Sequence, residues 1–315
     1  MTIKANRHLL KQKSVNERVK TQLNLTGTAN TDGGAIIMKR LLMVAAAVAL
    51  VGTAPLIVHA SPQDDLKAFR GYFLERFPNV PLEEFANGVY AIDAASREQW
   101  EAIEEFPPYE IAIEEGEDLF NTPFKNGKTY ASCFDNGGIG VKSKYPYFDK
   151  ESGEVITLEY AINQCRVKNG EKSLKYAKGK LPSISAYMAY TTRGQIIDIK
   201  IPNDQGALDA YNKGKHFYYA RRGQLNMSCA HCHVDNAGNR IRADILSPAL
   251  GHPSHFPVYR SKWGGLGTLH RRFGGCNKQV RAAPFKPQSE EYRDLEYFLT
   301  YMSNGIPWNG PGSRK

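Results

Sequence analysis

The chain has 315 residues, with 41 Lys+Arg against 32 Asp+Glu for a formal charge of +9, five cysteines and a mean hydropathy of -0.46. This is a globular composition: it excludes a polytopic membrane protein and a disulfide scaffold, and the length calls for one large or two medium domains. Five is an odd number, so at least one cysteine needs an explanation other than a disulfide.

Residues 1–37 are polar, without apolar periodicity, and precede a methionine that opens a complete export signal; they are read as a non-native or disordered extension. From Met38 come two cations (Lys39, Arg40), an apolar run from Leu41, and small residues ending at Val58-His59-Ala60. Residues 38–60 therefore read as a secretory signal peptide, and the expected location is the periplasm. Gly52 and Pro55 interrupt the run short of the ~20 residues that a spanning helix needs. Cleavage after Ala60 leaves about 255 residues with 33 Lys+Arg against 30 Asp+Glu, a charge of +3. A basic stripe for nucleic acid is then unsupported.

Beyond the signal, patterning suggests helices at about 64–78, 96–104, 112–121, 155–164, 178–191, 205–221, 228–236 and 290–303, joined by Gly-, Pro- and Asn-rich loops. Gly194–Ile199 alternates apolar and polar residues as a short strand or an extended linker. The domain boundary is placed near residue 200.

The segment Cys229-Ala230-His231-Cys232-His233 has the C-x-x-C-H pattern of haem c attachment. Its two thiols add to the haem vinyl groups, and the adjacent His supplies an axial nitrogen to iron. A redox dithiol would call for a β-α-β context, and a zinc site for a second close pair of ligands. Neither is evident around residue 229.

The chain also repeats itself. Gly223, Ser228 and Cys229 are matched by Gly127, Ser132 and Cys133; Thr268-Leu269 and Cys276 by Thr157-Leu158 and Cys165; Tyr301 and Gly305 by Tyr190 and Gly194. Spacing is kept inside each block, and the second and third blocks share one offset of 111 residues against 96 for the first. Asn136 and Gly137 occupy the places of the second motif cysteine and the axial His, so the first half has lost its haem site. The expected fold is mainly α, with two cytochrome c-like domains in tandem: 61–200 without haem and 201–315 with one covalently attached haem c. Cys133 and Cys165 then face the same emptied centre. A disulfide between them is geometrically plausible and would stabilise by about 3 kcal/mol on the chain-entropy model; two free buried thiols are the alternative.

Cys276 is left over. Four cations, Arg271, Arg272, Lys278 and Arg281, lie within five residues of it, a setting that favours a nucleophilic, iron-ligating sulfur and attracts a small anion. A buried inert cysteine beside a solvated turn is the plainer reading. Met302 is the rival distal ligand, in a run (Phe298, Leu299, Tyr301) that also reads as helix core.

With these residues in hand, the sequence resembles the SoxA family, the larger subunit of the bacterial SoxAX cytochrome complex, also called L-cysteine S-thiosulfotransferase. It looks like the monohaem variant. The resemblance implies axial ligation by His233 and by Cys276 as a persulfide, and substrate binding by Arg272, with Arg281 or Lys278 assisting. It further implies a SoxX-like cytochrome subunit as partner and electron acceptor, a SoxYZ-like sulfur carrier, and thiosulfate as substrate. The alternative is a periplasmic electron carrier without sulfur-transfer activity.

Overall fold

Residues 61–315 are described by the structure, a computed structural model. The expected extension (1–37) and signal peptide (38–60) lie outside the described residues. The helices are α1 (Pro62–Arg76), α2 (Ala94–Glu104), α3 (Glu110–Asn121), α4 (Leu158–Lys168), α5 (Lys180–Tyr190), α6 (Gln205–Tyr219), α7 (Leu269–Gln279) and α8 (Glu290–Met302). Strands are short: β1 (Tyr147–Asp149), β2 (Glu154–Ile156), β3 (Arg240–Ile241), β4 (Asp244–Ile245), β5 (Val258–Arg260), β6 (Gly265–Gly267) and β7 (Gly312–Arg314). The fold is mainly α, as expected.

Two helix crossings organise the chain, α3 on α5 and α6 on α8. Each closes on a glycine that lets backbones touch. A Cβ on Gly116 would lie 2.0 Å from the Ser183 carbonyl oxygen, and one on Gly214 would lie 2.1 Å from that of Asp294. Ser183 comes 18 residues after Cys165 and Asp294 comes 18 after Cys276, so the α5 and α8 sides of the two crossings fall in the register of the sequence repeat. The α4 and α7 helices also correspond, each following a threonine N-cap, Thr157 and Thr268.

The hydrophobic residues form two main cores. One is built from α3, α4, α5 and the turns around Tyr130 and Phe134. The other is built from α6, α8 and the segments 197–199 and 306–308, and it also takes Leu66, Phe69 and Phe73 of α1, together with Phe85. Residues 62–86 thus pack on the core of the second half although in sequence they belong to the first, so the sequence boundary near 200 does not divide the cores cleanly. Helix α1 is an amphipathic strap, fastened by a capping box between Ser61 and Asp64.

Gly194–Ile199 is an extended strap rather than a sheet strand. Its bridges run to the chain end, with Gly194 and Ile197 N–H groups donating to the Trp308 and Ile306 carbonyls, both at 2.9 Å. Between the halves, the buried Lys142 ammonium donates to the Phe256 carbonyl at 2.6 Å and sits 4.9 Å from the centre of the Trp308 ring. A three-stranded sheet, β6-β5-β7, pairs β5 antiparallel with β6 and parallel with β7, which aligns Arg260 with Gly265 and Arg314.

Candidate haem and sulfur site

The C-x-x-C-H segment is held from both ends. Before it, Arg222 and Met227 exchange backbone hydrogen bonds at 3.1 and 3.2 Å, and the Arg222 guanidinium lies 3.5 Å from the Phe217 ring centre. Ser228 caps the turn, its hydroxyl accepting from the His231 N–H at 3.0 Å. The residues then wind into a wide turn, His231–Asp235, in place of the regular helix expected over 228–236.

Helix α7 brings up the other side. Sequence patterning missed it, because Gly274-Gly275 and the surrounding cations read as a turn. Its end is bolted to the loop before the motif: Gln224 and Leu225 donate to the Arg281 and Val280 carbonyls at 3.4 and 3.3 Å. Gly223 is required there, with φ +69° and space for a Cβ only 2.1 Å from the Val280 oxygen. Inward anchors are Asn277, donating to the buried Tyr292 hydroxyl at 2.8 Å, and His270. The His270 Nδ1 accepts from the Gln288 N–H at 2.9 Å, while its Nε2 lies 3.0 Å from a Glu296 carboxylate oxygen without a hydrogen bond between them.

This clamp assembles the predicted residues. Cys276 is near enough to Cys229 and Cys232 that its negative charge pushes both thiols up, after the larger effect of burial; Cys229 reaches about 12. Arg272 precedes Cys276 by one helical turn on the same face, and its Nη1 lies 4.0 Å from where a Gly275 Cβ would be, over the backbone leading into Cys276.

His233 has its Nδ1 2.9 Å from the Ser247 carbonyl. That bond fixes the tautomer, with Nδ1–H donating and Nε2 keeping its lone pair. Burial, with Arg272 adding repulsion, holds the imidazole down to about 4, so it is neutral at working pH. His252 stands edge-on at 4.4 Å between ring centres, its Nε2 2.9 Å from the Ser247 hydroxyl. Two thiols three residues apart, a neutral imidazole with an unengaged Nε2 and a third sulfur close by fit covalent haem c.

Other expectations resolve as follows. Met302 is buried in α8 among the core residues that include α1. Lys278 and Arg281 are exposed at the end of α7, off the face that carries Arg272 and Cys276. Cys133 and Cys165 form the expected disulfide, Cα–Cα 5.9 Å, and the segment after Cys133 is a tight turn with Asn136 at φ 49° and Gly137 at φ 60°. Sequence reasoning passed over Arg260. It lies 16 residues before Cys276 on β5, and burial together with Arg272 lowers it to about 10 while Cys276 opposes the shift. No periodicity or motif marks it.

The cytochrome c domain of the SoxA/TsdA family matches residues 115–197, the half that lacks the attachment motif. The L-cysteine S-thiosulfotransferase subunit SoxA of Chlorobaculum tepidum is 56% identical over 275 residues, 87% of this chain and 96% of that protein. The subunit of the same name from Allochromatium vinosum is 55% identical over 280 residues, covering 88% and 99%. Among solved structures, that of SoxXA from P. pantotrophus superimposes with a TM-score of 0.63 at 32% identity, over 71% of this chain and 84% of that one. With identity sustained over nearly the whole of its relatives, the chain belongs to the SoxA family.

Proposed function

We propose that the chain is the catalytic subunit that joins thiosulfate oxidatively to a cysteine of a SoxYZ-like carrier protein, working with a SoxX-like cytochrome subunit in the periplasm. The observation that carries this is the placement of Arg272 one helical turn before Cys276, with its guanidinium folded over Gly275 beside the C-x-x-C-H segment. An electron carrier needs no cation over its ligand sulfur. The names of the relatives and a cysteine pair oxidised to a disulfide support the reading and the location.

Cys229 and Cys232 would hold one haem c, and His233 Nε2 and the Cys276 sulfur would supply ligands to its iron. When bound, haem c supplies a one-electron acceptor, so the two electrons of the reaction leave singly towards the partner cytochrome. Arg272 binds the thiosulfate dianion and neutralises its approach to an anionic sulfur. The Cys276 thiolate and the terminal sulfur of thiosulfate form an S–S bond with loss of two electrons. The carrier thiolate then attacks the thiosulfate-derived sulfur, breaks its bond to Cys276 and leaves as the S-thiosulfonate, returning Cys276 as thiolate. Atoms and charge balance across both steps.

Replacing Cys276 by alanine tests this. The holoprotein with its cytochrome and carrier partners should keep its covalent haem and lose thiosulfate-dependent cytochrome reduction; wild-type turnover in Cys276→Ala would refute the assignment.

A further inference from the structure

We propose that Arg76 and Tyr72 of α1 are positioning residues for His233: from a helix at the start of the described chain they hold the backbone of the turn that carries this ligand. The inference deepens the proposed function and rests on its reading of His233 as a ligand to haem iron.

Three features of the geometry support it. First, the wide turn His231–Asp235 ends at once, so its last carbonyls have no further helical N–H groups to accept from and need donors from elsewhere. Helix α1 brings them. The Val234 carbonyl accepts from the Tyr72 hydroxyl at 3.1 Å, and the Asp235 and Ala237 carbonyls accept from the Arg76 guanidinium at 3.2 and 2.7 Å. A cation that bonds the closing carbonyls of a helical turn also complements its dipole.

Second, the two side chains work as one device on a firm base. They stand one helical turn apart on the same face of α1, and Arg76 donates to the Tyr72 hydroxyl at 2.7 Å, so each aims the other. The guanidinium lies 5.8 Å from the Phe77 ring centre, and the chain after the turn closes over that ring: a Cβ on Gly238, at φ +84°, would lie 3.4 Å from it. Leu66, Phe69 and Phe73 root the same helix in the core of the second half. The planar fork of an arginine can span two carbonyls where a lysine would serve as a point charge.

Third, the other edge of the same turn is held from within the second half. The His233 ring bonds the Ser247 carbonyl at 2.9 Å, the His233 carbonyl accepts from the Ala249 N–H at 3.0 Å, and the Asn236 amide donates to the His231 carbonyl at 2.8 Å. Those bonds fix the tautomer and one side of the backbone. The α1 bonds begin at Val234, the residue next to His233, and fix the other side, so the direction of Nε2 is set from two edges rather than from one hinge. Outer partners that orient a ligating imidazole tune the metal it binds.

The test reads the iron of the holoprotein rather than turnover. Arg76→Gln and Tyr72→Phe should each move or broaden the low-spin EPR g-values and shift the reduction potential of the haem, and Arg76→Lys should recover part of the change. Tyr72→Phe alters no charge, so its shift reports orientation rather than electrostatics, and it decides the matter should Arg76→Gln fail to fold. Leu66→Ala is the control: it loosens α1 in the core at its other end, and should lower the urea midpoint while leaving g-values and potential as in wild type. Wild-type g-values and potential in the folded Arg76 and Tyr72 variants would overturn the proposal, as would an equal shift in Leu66→Ala, which would make α1 a strap and nothing more. The expected shifts in a protein whose wild type turns over no thiosulfate would uphold the positioning role while refuting the catalytic reading.

Discussion

The contact between Gly214 and Asp294 allows a prediction in which one substitution has opposite effects at two places. In Gly214→Ala the new Cβ would fall 2.1 Å from the Asp294 carbonyl oxygen, 2.6 Å from its carbon and 2.9 Å from Phe298 Cβ. Ordinary carbon contacts are near 3.5 Å, so α6 and α8 must part by roughly 1 Å or more along their seam. Overpacking of this kind costs about 1–3 kcal/mol. The backbone cannot rotate away as a side chain would, which puts the cost near 3, and the better helix propensity of alanine returns about 1. The net loss is about 2 kcal/mol. The control is Gly71→Ala in α1, where nothing lies within 4 Å of the new Cβ and the propensity term acts alone, a gain of about 0.5–1 kcal/mol. Urea unfolding of the holoprotein, followed by circular dichroism, should show the midpoint falling for Gly214→Ala and rising for Gly71→Ala at unchanged slope. Movement of both midpoints in the same direction would refute the claim that backbone contact sets this crossing.

Two further outcomes follow from the same elements. Asp294 is buried and its carboxyl is pushed up to about 7 by burial, with Glu290 adding repulsion. Because the folded state holds this proton more tightly than the unfolded chain, stability should fall as pH rises from about 4 to 7, and Asp294→Asn should flatten that slope and gain up to a few kcal/mol at pH 8; an unchanged pH profile would count against the burial argument. Intact mass of the non-reduced protein should correspond to one haem and one disulfide, and Cys133→Ser with Cys165→Ser should lower stability by about 3 kcal/mol while leaving haem attachment intact. A second covalent haem would refute the reading of Asn136 and Gly137.

The haem motif and the Cys133–Cys165 pair were legible in the sequence because covalent chemistry fixes spacing, and the repeat then located Cys276 by subtraction. What escaped was of two kinds. Helix α7 was hidden by its own composition, yet the repeat that equated Thr268-Leu269 with Thr157-Leu158 already implied it, since Thr157-Leu158 opens α4. Counting cations near Cys276 in sequence selected Lys278 and Arg281, which a helix turns away from the sulfur. Arg260 and the attachment of α1 to the later core arise from tertiary contacts between distant segments, and those leave no local pattern.

The Lys142 ammonium, buried against the Phe256 carbonyl and the Trp308 ring, bears on how far the chain can be treated as interchangeable cassettes. A fragment starting at residue 201 would strip that carbonyl of its donor, open the indole to water and discard the α1 strap, while leaving the haem motif whole in sequence. The half without a C-x-x-C-H motif therefore still sets walls of the half that has one. Transplanting the second half alone, for instance to move its sulfur chemistry onto another scaffold, would first require replacing those walls.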